Sequence, residues 1–489
     1  MAMIVSANIT ALLDAISNAD EERIIAETLQ LLGPEKVPPA KVTARVGIPA
    51  VWAGGEGHPI SLLSVAGRVA EWMRSIPIGP EPESERRRAL APALPLIQAF
   101  VAVSEQVRKG LPEPHPTLPD PIVPADVNHA GGALGALREA VSRRDLERTR
   151  AILMGYYATG TDYRAVLTAI YAALDFHYPD GGHPLYFAVS ATRLLDMADW
   201  GDRMPAYLYW VTPLMLDAAP NAAPGDAAAA YAAAAEHDLG WLRNRLSIPK
   251  PEAAGSRFQQ ALVAGDATAA CDALLKALRD GATPMDAASG MALAAAGQVN
   301  AVPQGDTDAL MRAAHVLLYT HAVHVATQHT QNPEIWPLLY TAACAVNSVR
   351  ASGSAAELER GASSVSSTAA GGLIPTSMLR KLEQQLEEGD TASALAGARR
   401  YLQMGHPPRA LAGIIGSAAA TRDVQQGQAH TLHTLPLVAA AAEEYLNLPR
   451  ALASDGQNAL LVAAIRLASE LQSGHALADR VRAAISARL

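Results

Sequence analysis

Four segments of this chain repeat one pattern at near-equal intervals: an apolar helix, a polar turn carrying an aspartate, a second helix and a closing glycine. They read AISNAD-EERIIAETLQLLG, AVSRRD-LERTRAILMGYYATG, ALVAGD-ATAACDALLKALRDG and QLEEGD-TASALAGARRYLQMG. The turn aspartates are Asp20, Asp145, Asp266 and Asp390, spaced by 125, 121 and 124 residues. Ahead of a helix, an aspartate accepts hydrogen bonds from the free N–H groups of the first turn. The closing glycines, Gly33, Gly160, Gly281 and Gly405, suit the left-handed position just past a helix end. Such a chain folds as diverged copies of one helical module. One module buries little apolar surface alone, so neighbouring copies are expected to share cores.

The likeness continues downstream of each glycine. An Ala-rich helix follows (VTARVGIPAVW, YRAVLTAIYAAL, PMDAASGMALAAA, PRALAGIIGSAAA), and then a helix led by histidine. The leading residues are His58, His183, His315 and His430, lying 38, 38, 49 and 40 residues beyond their aspartates. The third copy therefore carries an insertion near Gln298 to Asp306. A further apolar helix closes each copy. The expected units are residues 1–110, 128–216, 255–350 and 376–489, arranged as an open arc or a closed ring. Closure would place equivalent side chains around one axis. Between copies, Leu111 to Pro124, Pro220 to Gly255 and Ala351 to Ala370 are rich in breakers and read as linkers or surface excursions.

Composition agrees with an all-α class. Half of the 489 residues are apolar yet only 5% are aromatic, and Ala and Leu dominate, the residues that cost least to place in a helix. Alternating β-branched runs are scarce, so no strand is expected. The net charge of −9 comes without a basic block. Arg86-Arg87-Arg88 follows Glu83 and Glu85 and reads as a solvated helix start. A duplex binder needs a basic face to displace counterions, so nucleic acid is disfavoured as a partner. Two cysteines, Cys271 and Cys344, exclude a disulfide framework and a Cys-ligated zinc or iron–sulfur site within the chain. A reducing cytoplasm is the expected compartment. Met1 to Ala7 does not resemble a signal peptide, and no stretch of about 18 residues is continuously apolar, so no membrane association is expected.

The leading histidines His58, His183, His315 and His430 are the candidate metal ligands, with His177, His321, His324 and His433 nearby. Neutral imidazole is the commonest metal ligand, and helix bundles build metal sites from facing helices. The competing reading is structural: in Gly57-His58-Pro59 and Gly182-His183-Pro184 the proline suits a first helical turn, and the histidine caps it. Glu-x-x-His, His-Glu-x-x-His, Walker and nucleophile-elbow motifs are absent from the expected positions, which disfavours di-iron carboxylate, zincin, nucleotide and hydrolase chemistry. The second copy packs two histidines, two aspartates and a tyrosine into Asp175 to His183. There Asp175 is expected to orient His177 or His183, and Asp175, His177 and Tyr186 are the candidate catalytic residues. A polar interhelical loop is the alternative.

The third copy, AAHVLLYTHAVHVATQHTQNPEIWPLLYTAACAVN from Ala313, resembles bacterial helical domains found beside Rieske iron–sulfur modules and, more loosely, questin-oxidase-like proteins. His315 falls at their leading His position. The Cys-x-His and Cys-x-x-His ligands of a Rieske cluster are absent, so the resemblance carries no iron–sulfur centre. It implies an oxidative or metal-associated setting, with a redox protein as a candidate partner. Together these readings suggest an oxidoreductase or tailoring enzyme acting on a small organic substrate between repeats, with iron, zinc or manganese on the histidines or with no cofactor. A non-catalytic helical-repeat scaffold is the rival.

Overall fold

The computed structural model describes residues 7–79, 83–108, 118–159, 163–198, 204–216, 221–246, 248–350, 374–423, 429–471 and 473–489. Among them are twenty-three α-helices and no strand, as the Ala/Leu composition predicts. The first segment holds α1 (Ala7–Ser17), α2 (Glu21–Leu32), α3 (Pro39–Ala53), α4 (Gly57–Met73), α5 (Ser84–Leu90) and α6 (Ala93–Arg108). The second holds α7 (Gly132–Ser142), α8 (Leu146–Ala158), α9 (Tyr163–Ala173), α10 (His183–Ala198) and α11 (Met204–Met215), followed by α12 (Ala223–Ala232). The third holds α13 (Ser256–Ala264), α14 (Ala267–Asp280), α15 (Pro284–Ala301), α16 (Thr307–His329) and α17 (Leu338–Ser348). The fourth holds α18 (Pro375–Glu387), α19 (Thr391–Gln403), α20 (Pro408–Ala420), α21 (Ala429–Asn447), α22 (Arg450–Glu470) and α23 (Ala476–Ser486).

All four turn aspartates cap a helix. Asp20, Asp145, Asp266 and Asp390 accept from the N–H groups of Arg23, Arg148, Ala269 and Ser393 at 3.1, 3.0, 2.9 and 3.0 Å. The glycines are less uniform. Gly281 and Gly405 are left-handed (φ 125° and 76°), whereas Gly33 has φ −87° and closes α2 without that turn; Gly160 lies outside the described residues. The expected insertion in the third copy is absorbed as helix. α15 runs on to Ala301 and α16 starts at Thr307, so His315 sits in its third turn rather than leading it. Pro220 to Gly255 is not a plain linker either: α12, with Pro224 in its first turn, packs on α14 and α17. All of Ala351 to Ala370 and the first half of Leu111 to Pro124, residues 111–117, lie outside the described residues.

The helices that carry the histidines form the centre. A helix buried around its whole circumference belongs to the interior, and α4, α10 and α16 are buried on nearly every side. α4 packs on α10 and α21, and α16 packs on the same two helices. Small residues permit close approach: a Cβ on Gly416 would lie 2.6 Å from Val69, and one on Gly413 3.0 Å from the backbone of Met73, so α20 rests directly on α4. Residues 84–108 contain one apolar 18-residue window (mean hydropathy 1.3), and 83% of that window is buried in the core.

Candidate metal centre

Around the N-terminal parts of the four central helices, four imidazoles meet: His58 on α4, His183 on α10, His315 on α16 and His433 on α21. The ring of His433 lies 4.6, 5.1 and 4.6 Å from those of His58, His183 and His315, and His58 lies 4.9 Å from His183. His183 is 5.4 Å from His315. One nitrogen from each of His58, His183 and His433 falls within 4.8 Å of the others. His183 Nε2 is 3.0 Å from His433 Nε2. Phe187 closes one side with its ring 5.0 Å from His58, resting where Gly57 has no side chain.

Local backbone chemistry aims these rings. Before α10 the chain takes three successive positive-φ residues, Asp180 (45°), Gly181 (72°) and Gly182 (82°). Only a glycine fits at 182, because a Cβ there would stand 2.2 Å from the Tyr319 ring. This turn brings the Asp180 carbonyl onto His183 Nδ1 and its carboxylate oxygen to 3.3 Å from the same nitrogen. His315 Nδ1 likewise donates to the Met311 carbonyl at 2.7 Å. With Nδ1–H engaged on both rings, each keeps its lone pair on Nε2, the tautomer that ligates metals; the assignment follows from hydrogen-bond geometry.

Burial favours the neutral form of two of these rings. Burial, reinforced by His183, lowers the pKa of His58 to about 4, and burial also lowers that of His315. The hydrogen bond from His183 holds the Asp180 carboxyl below its ordinary range. Neutral imidazoles bind metal without first losing a proton. His58 Nε2 is buried with no hydrogen-bond partner among the described residues, an unusual cost for a polar atom unless something else engages it. Three imidazoles are one ligand fewer than the four a closed structural zinc site uses. His315 and Asp180 also line a cavity of about 610 Å³, with Tyr178, Arg312 and Arg350 on its walls.

Three of the expected ligands, His58, His183 and His315, are thus brought together. The side chain of His430 lies outside the described residues, and His433 occupies the fourth place. One sequence signal points to it: His58, His183 and His433 each precede by ten residues a charged residue on the same helix, Arg68, Arg193 and Glu443. His58 does not cap α4, whose N-cap position is Glu56. The expectation that Asp175 orients His183 is corrected, since the acidic partner of His183 is Asp180. The Asp175 carboxylate instead takes the Arg138 guanidinium at 2.5 Å and the Phe176 N–H at 3.0 Å, and burial, opposed by Arg138, raises its pKa to about 6. His177 sits half-buried in the turn after α9. Tyr186 is buried on α10, and burial raises its phenol above the ordinary value.

Ten residues beyond the histidine on α4 and α10, ten and eleven on α21, and six and nine on α16, about 9–17 Å along the helices, lies a second layer that the sequence pattern does not announce. Arg68 and Arg193 both bind Glu443, Arg193 at 2.9 Å. His321 and His324 donate to Glu444 at 2.7 and 2.9 Å. Since the same four helices build both layers in the same order, they run parallel. Opposite charges balance here, which is what permits ionised groups in the interior.

No protein-family model matches the chain, and neither does any curated protein or solved structure.

Proposed function

We propose that this protein is a metal-dependent enzyme that acts on a small organic substrate, of oxidoreductase type, with His58, His183 and His433 as ligands. The observation that carries the reading is the convergence of those three nitrogens within 4.8 Å. Tetrahedral ligands at about 2.0–2.1 Å from a metal stand a little over 3 Å apart, so a small inward movement suffices. Iron or manganese there would supply an O₂-reactive centre, and zinc a Lewis acid. The chain's own residues would do the rest. Asp180 fixes the His183 tautomer, Phe187 keeps water from one face, and His315 stands between the ligands and the cavity, placed to take or return a proton. A redox protein would deliver electrons, and two free buried thiols suit a reducing cytoplasm.

The same reading takes the four segments as copies of one module closed into a ring. Its support is the cyclic packing of α4, α10, α16 and α21, and the way each preceding helix leans on the next segment's central one: α3 on α10, α9 on α16, α15 on α21 and α20 on α4.

A second reading, a non-catalytic helical-repeat scaffold, is favoured by the 3.0 Å between His183 and His433, already a hydrogen-bond length. Metal analysis of tag-free protein separates the two. Near-stoichiometric iron, manganese or zinc, lost in His183→Ala and His433→Ala, is the expected result. Metal-free protein that takes up none of the three on addition, with those variants lowering only the melting temperature, would establish the scaffold.

A further inference from the structure

A cavity of about 1110 Å³, separate from the imidazole cluster, lies where the first and fourth segments meet. Six cationic side chains line it: Lys36 from the α2–α3 loop, Arg74 at the end of α4, Arg86 and Arg88 from α5, Arg409 from α20 and Arg488 beyond α23. Only Glu71 and Glu85 oppose them, an excess of four positive charges in a chain whose net charge is −9. Arg74 pairs with Glu71 at 3.1 Å, and Arg86 donates to the Arg488 carbonyl at 2.9 Å. Lys36, Arg88 and Arg409 have no hydrogen-bond or ion-pair partner among the described residues. Lys36 also adopts a left-handed backbone (φ 53°), strained for a long side chain.

We infer that this cavity binds a small organic molecule bearing two or more phosphates, such as a nucleoside diphosphate. Like charges gathered from five chain segments repel one another, and an anion of comparable charge removes that penalty. Guanidinium forks match phosphate oxygens two at a time. The remaining wall is apolar and stiff: Leu32, Val37 and Leu90 offer a surface for a ring, while Pro34, Pro38, Pro39 and Pro92 fix the backbone in advance of binding. The volume is slightly above the roughly 300–1,000 Å³ usual for small-ligand sites, which leaves room for a molecule of nucleotide size. An extended nucleic acid would have to cross the acidic remainder of the surface, which disfavours it. Arg87, the third member of the arginine run, turns toward Glu83 at 3.9 Å and is not part of the lining.

The test is calorimetric titration of the full chain with ADP, pyrophosphate and inorganic phosphate at low ionic strength. ADP and pyrophosphate should bind saturably and more tightly than inorganic phosphate. Arg88→Ala and Arg409→Ala should each weaken ADP binding by roughly tenfold or more, the loss of one charge-assisted bond, and Lys36→Ala should weaken it less. Arg143→Ala, an exposed arginine outside the cavity, should leave it unchanged. Circular dichroism and melting temperature would verify that each variant is folded. Absence of saturable binding by ADP and pyrophosphate up to about 1 mM overturns the inference. So does binding unaffected in folded Arg88→Ala and Arg409→Ala. Competition by a short single-stranded oligonucleotide as effective as ADP itself would also overturn it, marking a general polyanion surface.

Discussion

His183 Nε2 and His433 Nε2, contributed by residues 250 apart in sequence, face each other across 3.0 Å. His183 gives its Nδ1 proton to Asp180, so between the facing nitrogens there is room for one proton or for one metal ion that draws on both lone pairs. Titration with Co²⁺, read by its visible d–d bands, distinguishes these. Wild-type protein should show one tetrahedral or five-coordinate site. Loss of an outer-shell partner costs a metal site about 10–100-fold in affinity. Asp180→Asn should fall in that range, and His433→Ala should exceed it. Equal Co²⁺ affinity in wild type and His433→Ala would refute the assignment.

The deeper ion layer makes stability sensitive to acid. Burial alone would raise the Glu444 carboxyl, but His324 and His321 outweigh it and hold the pKa at about 2, below its ordinary 4.5. A depressed folded-state pKa adds stability that is complete above the unfolded value and is lost as pH falls from about 4.5 toward 2. The contribution is on the order of 3 kcal/mol. Urea unfolding at pH 7, 4 and 3 should show wild type losing stability across that window. Glu444→Gln should be less stable at pH 7 and show a shallower loss on acidification. Parallel pH profiles for the two proteins would exclude this role for Glu444.

Much of this architecture can be read from short-range pattern. Asp20, Asp145, Asp266 and Asp390 are legible as caps because the bond they make reaches only three residues along the chain. The histidines are legible as a set because their offsets from those caps recur. The place of His433 among them is different, since it depends on which face of α21 turns inward, and local sequence does not state that. The Arg68–Glu443 and Arg193–Glu443 pairs span 375 and 250 residues. Nothing near Glu443 marks it as buried until the four central helices are side by side. The polar density of Asp175 to His183 pointed to the right loop but the wrong aspartate, because the left-handed turn at Asp180 that aims its carbonyl at His183 is not visible in composition.

That turn has a test of its own. Gly182 has φ 82°, and a Cβ there would lie 2.2 Å from the Tyr319 ring, on a helix crossing close by. Gly182→Ala combines backbone strain with overpacking, and a loss of about 2–4 kcal/mol is expected. Gly181→Ala meets nothing closer than 3.7 Å and bears only the strain, so a loss of about 1–2 kcal/mol is expected. Chemical denaturation gives both. Equal losses would show that the Gly182–Tyr319 contact does not constrain the loop.

Cys271 on α14 and Cys344 on α17 are buried with their sulfurs 3.5 Å apart, close enough for one thiol to hydrogen-bond the other. A disulfide needs about 2.05 Å between sulfurs, so a side-chain movement of about 1.5 Å is required. The shared hydrogen bond and burial push the Cys271 thiol up, while the same bond lowers Cys344. With diamide as oxidant, one cysteine sulfur adds to the azo nitrogen, and the other sulfur then displaces the reduced hydrazine. Both thiol protons end on the hydrazine, and the intact protein loses two hydrogens in mass. Closing a loop of 73 residues restricts the unfolded chain by about 4 kcal/mol in the chain-entropy account, so the oxidised form should melt higher than the reduced form. Cys344→Ser should show neither the mass change nor the stabilisation. If diamide leaves the wild-type mass unchanged even in mild denaturant, the two sulfurs are farther apart in solution than this packing allows.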